Sequence, residues 1–232
     1  MTPAPGQWAP PGPDAAEAPD EPSPPFFDLA LTTHVPLSIG GAATLELPGR
    51  VLLQVDLGWM PPAYGSAINS LVPSSGASDG GVAALVDAAL EDVMVVRAAA
   101  GWRPFPSAGF ELTGGYTYVS LSGSVSPDDL ASVVAGDFAS EIAQQLEHDI
   151  TLESQLHNVH VALGWRWVAW DHLLIRANLG YTQTLGSSSS VSIPDHREGE
   201  ALANPVVDAE LGDVYRQYVK LPVLSLGAGY RF

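Results

Sequence analysis

No cysteine occurs anywhere in the 232 residues. That absence excludes a disulfide framework, a thiolate metal site and a cysteine nucleophile, and no lipidated N-terminal cysteine is expected in this form of the chain. Lysine is nearly missing as well, with Lys220 standing alone. Nine basic residues against 26 acidic ones leave a formal charge of -17. A basic patch for nucleic acid or anionic lipid is therefore excluded. There is no run of eighteen apolar residues, so no transmembrane helix is expected. Phosphate loops, dinucleotide fingerprints and Walker motifs are absent too.

What the chain does contain is alternation. Val51, Leu53, Val55, Leu57 and Trp59 oppose Gln54, Asp56 and Gly58. The same period of two runs through Met94–Trp102, Phe110–Tyr118, 158–167 and Leu173–Thr182, and through Leu224, Leu226, Ala228, Tyr230 and Phe232 at the end of the chain. Each segment has about the nine to eleven residues of a tilted membrane-spanning strand. Glycine followed by an aromatic recurs at Gly58-Trp59, Gly101-Trp102, Gly115-Tyr116, Gly164-Trp165, Gly180-Tyr181 and Gly229-Tyr230. In each pair glycine falls on the small or polar face and the ring on the apolar face. Trp59, Trp102, Tyr116, Trp165 and Tyr181 are thus candidates for an aromatic girdle at the membrane–water boundary.

The connections alternate in length. Pro48-Gly49-Arg50, Arg103–Gly109 and Val168–His172 are short, whereas about 60–92, 122–156 and 186–217 are long. Residues 27–47 alternate without a break in phase. Two strands, about 27–35 and 39–47, with a turn near Pro36 bring the count to eight, and one long kinked strand is the alternative. Two excursions carry helical patterns. Ser126-Pro127-Asp128-Asp129 is a helix start, followed by Leu130, Val134, Phe138, Ile142 and Leu146. A shorter pattern holds Val82, Leu85, Val86, Ala89 and Val93. Residues 1–25 contain nine prolines among scattered acids. That composition predicts a disordered leader before a barrel over 26–232.

Together the closing strand, the glycine–aromatic pairs and the loop asymmetry resemble the small bacterial outer-membrane barrels of OmpA/OmpX type. The resemblance covers about residues 27–232. It implies an all-β, closed, antiparallel up-and-down barrel of about eight strands, with short helices in long extracellular loops. It also implies a multi-pass protein of the Gram-negative outer membrane. Leu224, Leu226, Tyr230 and Phe232 resemble the signal read by the barrel-assembly machinery, which with outer-membrane lipid would be a partner. Such a protein is exported with a signal peptide, and no charged segment followed by an apolar one is visible here. The expectation is a mature form with an added Met1, or a misplaced start.

Alternation points Glu46, Asp56, Arg97, Glu111, Arg166, Arg176 and with them Arg231 into the lumen. Charges in so narrow a space must pair, and eight strands enclose little more than their own side chains. A plugged core is expected rather than a channel. His157, Asn158 and His160 lie close together, but His157 faces away from the other two and no serine or aspartate is fixed beside them. A hydrogen-bond network is favoured over a catalytic or metal site. Asp128 and Asp129, like Asp208, Glu210 and Asp213, are acidic loop positions open to divalent cations, although solvated loops are the simpler reading. No cofactor, no catalytic residue and no dedicated metal site is expected, and a monomer is favoured.

Two alternatives remain from the sequence. A lipocalin-like soluble barrel would turn the apolar face inward, but would leave an exterior poor in lysine. A lipid-modifying enzyme would use His160. The favoured function is a non-enzymatic barrel displaying acidic loops, in a structural or adhesion role. A narrow channel or small-solute transporter gated by the loop helices is the second choice.

Overall fold

The computed structural model describes residues 25–64, 88–128, 130, 150–193 and 197–232. The leader over 1–25, most of the first long connection and the proposed helix from Asp129 to Leu146 lie outside them, apart from Pro25 and Leu130.

Eight strands form the molecule: β1 (Phe26–Val35), β2 (Ser38–Leu47), β3 (Val51–Trp59), β4 (Asp92–Trp102), β5 (Phe110–Val125), β6 (Ile150–Ala169), β7 (Leu173–Ser192) and β8 (Lys220–Arg231). Each pairs antiparallel with the next, and β8 returns to β1 to close the barrel. Residues 27–47 resolve into two strands around a Pro36-Leu37 turn, with Ala42 opposite Ala30. The phase survives the turn, so Phe27, Leu29 and Leu31 share the outer face with Ile39, Leu45 and Leu47. Leu37 does not share that face, because the turn folds it inward.

One end carries the Pro48–Arg50, Arg103–Gly109 and Val168–His172 turns and both barrel termini, and the Pro36-Leu37 turn lies at the other. At Gly49 and Arg50 the backbone takes φ of 85° and 68°. Glycine reaches that left-handed region freely, and successive positive φ values give the tight reversal that a two-strand connection needs. On the inner wall Gly40 and Gly115 sit where a Cβ would run into the carbonyls of Leu57 and Ala98. Those two positions draw the neighbouring strands close.

β3 gives the height of the apolar wall. Its nine residues, at about 3.3 Å each and tilted by about 40°, rise roughly 23 Å, near the ~25 Å apolar band of outer-membrane barrels. β5, β6 and β7 are longer, at 16, 20 and 20 residues. They overshoot the expected segments, so the second and third long excursions are shorter than the sequence suggested. The overhang of β6, residues 150–156, adds about 18 Å by the same arithmetic.

At the overhang the two faces exchange character. Below it Trp167, Trp165, Leu163, Val161 and Val159 face outward on β6 while Arg166, Asn158 and His160 face inward. Above it His157, Gln155, Glu153 and Thr151 face outward, and Leu156, Leu152 and Ile150 are buried. The neighbouring strands follow. Ser120, Ser122 and Ser124 on β5 and Ser188, Ser190 and Ser192 on β7 stand outward beside them in register. A β-bulge where His157 pairs Gly186 and Asn158 pairs Thr184 keeps β7 in step with this change. The overhanging strands form a paddle, polar outside and apolar inside.

A helix, α1 (Arg197–Tyr218), packs on that apolar side. The sequence reading missed it. Pro205 falls inside it, and an internal proline ordinarily costs ~3 kcal/mol. The offset is a buried seam of Ala203, Val207, Leu211 and Tyr215, spaced every four residues, against Leu152, Leu156 and Val191. Val93, Val95, Val119, Leu121 and Leu130 complete this core. Ala89 and Val93, read as helical positions, are both buried in it, with Val93 belonging to β4.

α1 also finishes the sheet edge. Beyond Gln183, β7 has no β8 residue to pair with. Its amides, and that of Ile193 just past its end, donate instead to helix side chains: Ser189 to Asp208 at 2.8 Å, Val191 to Asn204 at 2.7 Å and Ile193 to Glu200 at 2.8 Å. On the opposite edge of the paddle the Ser124 amide donates to Glu91 at 3.1 Å. Amides left over from strand pairing are thus taken up by carboxylates and an amide oxygen.

Candidate functional site: the filled lumen

The lumen is layered. Near the short turns, Arg166 donates to Asp28 and to Glu46, each at 2.6 Å, and approaches Glu111 at 3.7 Å. Arg176 reaches Glu111 at 3.0 Å, Arg231 reaches Asp28 at 2.8 Å and Arg103 reaches Glu46 at 2.7 Å. Three carboxylates and four guanidiniums therefore interlock across β1, β2, β5, β6, β7, β8 and the Arg103–Gly109 turn. Each carboxylate meets at least two cations, which is the pairing a buried charge requires. Arg176 ties this layer to the next by donating to Thr44 at 3.2 Å and Gln54 at 2.8 Å.

The middle layer centres on Asp56 and Arg97, opposite one another on β3 and β4. Gln54 donates to Asp56 at 2.8 Å. His34 lies between the two charged groups, with Nε2 3.3 Å from Asp56 and Nδ1 2.9 Å from Arg97 and 2.7 Å from Ser225 Oγ. Arginine can only donate, so Nδ1 is the acceptor and Nε2 carries the proton that Asp56 receives. His160 bonds Thr117 at 2.9 Å. The third layer is the apolar core beneath α1. In it burial pushes the Tyr215 hydroxyl up to about 12, with its bond to Ser154 acting the other way.

The structure brings Glu46, Glu111, Arg166 and Arg176 into one cluster and Asp56 with Arg97 into another. Sequence reasoning missed Asp28, His34 and Arg103. Asp28 and His34 had a signal, since they alternate with Phe27, Leu29 and Leu31. Arg103 lies in a turn, where alternation gives no direction. Trp59, Trp102, Tyr116, Trp165 and Tyr181 are all exposed on the outer wall. Trp102 and Trp165 stand toward the short turns, and Trp59, Tyr116 and Tyr181 toward the paddle. Tyr116 also bonds His157 across the strand pair. Leu224, Leu226 and Tyr230 face outward along β8. The Phe232 amide donates to the Phe27 carbonyl at 2.9 Å, and its ring lies 5.9 Å from the Phe27 ring.

Ser225, His34 and Asp56 form a hydroxyl–imidazole–carboxylate row. The nitrogen that would take the serine proton already accepts from Arg97, and a cation on that lone pair opposes general-base action. Among the acidic positions, Asp208 is taken by the Ser189 amide and Asp213 pairs with Arg216 at 2.8 Å. Among the described residues no cluster of three or more histidines and acids could hold a metal ion.

The molecule is a closed, eight-stranded, up-and-down barrel with an apolar exterior and an ion-paired interior, the architecture of small transmembrane outer-membrane barrels. No family model matches the chain, and no curated protein matches it. It is similar to the N-terminal β-barrel domain of Pseudomonas aeruginosa OprF (9% identity, covering 90% of this chain and 96% of that one, TM-score 0.39). It is also similar to Acinetobacter baumannii CarO (13%, 89% and 97%, 0.37) and to a major outer membrane protein of Thermus thermophilus (13%, 90% and 98%, 0.45). These are likenesses only; the barrel itself rests on the strand pairing.

Proposed function

We propose that this chain is a non-enzymatic barrel of the Gram-negative outer membrane. It closes its own lumen and presents the paddle and α1, with their acidic residues, at the cell surface in a structural or adhesion role. The observation that carries the reading is the exchange of faces on β5, β6 and β7. A soluble barrel keeps its apolar side inward along the whole strand. Here the apolar side is outward for one membrane thickness and inward beyond it, which suits strands that leave lipid for water. Trp59, Tyr116 and Tyr181 lie near that level and Trp102 and Trp165 at the other end, the arrangement of a two-ring girdle. In this reading Leu224, Leu226, Tyr230 and Phe232 engage the assembly machinery. The lumen layers oppose conduction, since ion pairs fill one end and the core beneath α1 fills the other. Heat-modifiable gel mobility after outer-membrane fractionation tests location and closure together. Absence from that fraction overturns the location, and steady ion current in planar bilayers overturns the plug.

A further inference from the structure

We propose that the outward face of the paddle docks the hydroxylated sugar head groups of outer-leaflet glycolipid. The inference rests on the membrane reading above. The face is three strands wide and three rows deep, and its rows are in register; Ser122, Glu153 and Ser190 form the central one. Apart from Gln155 and Glu153 every position is a serine or threonine hydroxyl, able both to donate and to accept. The short side chains leave a flat surface.

The occupant follows from continuity and charge. On the same three strands this face continues directly from the apolar wall above Tyr116, Val159 and Tyr181. Whatever head group crowns the lipid beside that wall must therefore stand against the serine rows. Those rows hold no cation, and their single charge is Glu153, in a chain of formal charge -17. Bare phosphate is disfavoured there, whereas sugar hydroxyls can donate to Glu153 and exchange hydrogen bonds with the serines. A second copy applied face to face would bring Glu153 toward its own counterpart. At both edges the Ser124, Ser189, Val191 and Ile193 amides are engaged by side chains, so strand addition there has to displace those bonds first. Among the described residues, the face is what remains open.

The absence of cysteine makes single-site labelling straightforward. A nitroxide at Ser190→Cys in the full chain, refolded into vesicles, reports access of a water-soluble nickel chelate. Access falls several-fold when a digalactosyl glycolipid is added to phosphatidylcholine, and is unchanged when phosphatidylglycerol is added instead. Adding Ser122→Ala and Glu153→Ala to the labelled chain abolishes the glycolipid effect. Equal access in all vesicles overturns docking in favour of a solvated face. Equal protection by phosphatidylglycerol overturns the sugar assignment. Protection that tracks protein density points to a second copy and overturns the proposal as well. A label at Leu226→Cys separates the two levels of inference: it reads oxygen-accessible and chelate-inaccessible in every vesicle if the wall lies in lipid. Chelate access there removes the membrane reading and docking together.

Discussion

Arg166→Met tests the ionic layer at its centre. The Arg166 side chain is fully buried and holds Asp28 and Glu46 at 2.6 Å, with Glu111 further off at 3.7 Å. Removing it strips no carboxylate bare, because Arg231, Arg103 and Arg176 remain on Asp28, Glu46 and Glu111 at 2.8, 2.7 and 3.0 Å. Breaking a buried pair by deleting one partner costs about 3–5 kcal/mol. The surviving partners place this variant at the lower end, about 3 kcal/mol. Methionine roughly keeps the volume, so the loss is electrostatic rather than a cavity. Urea unfolding of the full chain in detergent, followed by tryptophan emission, reads the change. Arg216→Met, at an exposed pair with Asp213, is the control and should stay within about 0.5 kcal/mol. A loss below about 1 kcal/mol in Arg166→Met would show that the carboxylates are held without their central cation, and the layered account of the lumen would fail.

Leu226 faces outward midway along β8, and Leu226→Arg should cost about 2–4 kcal/mol in lipid; an unchanged unfolding midpoint in vesicles would place that wall in water. Asp208→Ala and Asn204→Ala each leave a β7 amide without its acceptor, for about 1–3 kcal/mol apiece if water does not replace it. Amide exchange should speed up at Ser189 or Val191 and not at Arg176 or Asn178, and uniform acceleration would refute a local cap. Tyr215, held up to about 12, should give a late inflection near that pH in an absorbance titration. Its folded value lies above the unfolded one, so the stability tied to its neutral form is complete below about pH 10 and is lost as pH rises toward 12. Tyr215→Phe should remove the late inflection, and its persistence would assign that inflection elsewhere.

Much of the barrel is legible in the chain, for a physical reason. A strand wall between lipid and a narrow lumen must alternate strictly, and Val51–Trp59 or Leu224–Phe232 can be read with no other information. The paddle was harder. From Ile150 to Leu156 the period of two persists but the apolar phase shifts across His157-Asn158, so the period alone does not separate lipid-facing from water-facing strand and only that shift marks the change. α1 hid behind Pro205, although Ala203, Val207, Leu211 and Tyr215 repeat every four residues. The charges that alternation aims inward were readable as directions. Their partners were not, because Asp28 with Arg166, or Glu46 with Arg103, meet only through closure and a turn.

The three bonds from α1 to β7 set a limit on how far such an edge can extend. Four helical residues rise about 6.0 Å, while two strand residues span about 6.6–6.8 Å. The two rulers slip by roughly 0.7 Å at each step, about 1.4 Å over the interval from Glu200 to Asp208. A fourth bond would need roughly 2 Å of slack, more than a hydrogen bond tolerates. At that fourth place stands Gly212, beside Ser187, offering no side-chain acceptor. Three residues on, β7 returns to a backbone partner, with Thr184 donating to Val219 at 3.1 Å. A helix can stand in for a strand only as far as this vernier stays aligned, about 13 Å of strand, and the rest of the stretch of β7 beyond β8 has to be held in other ways.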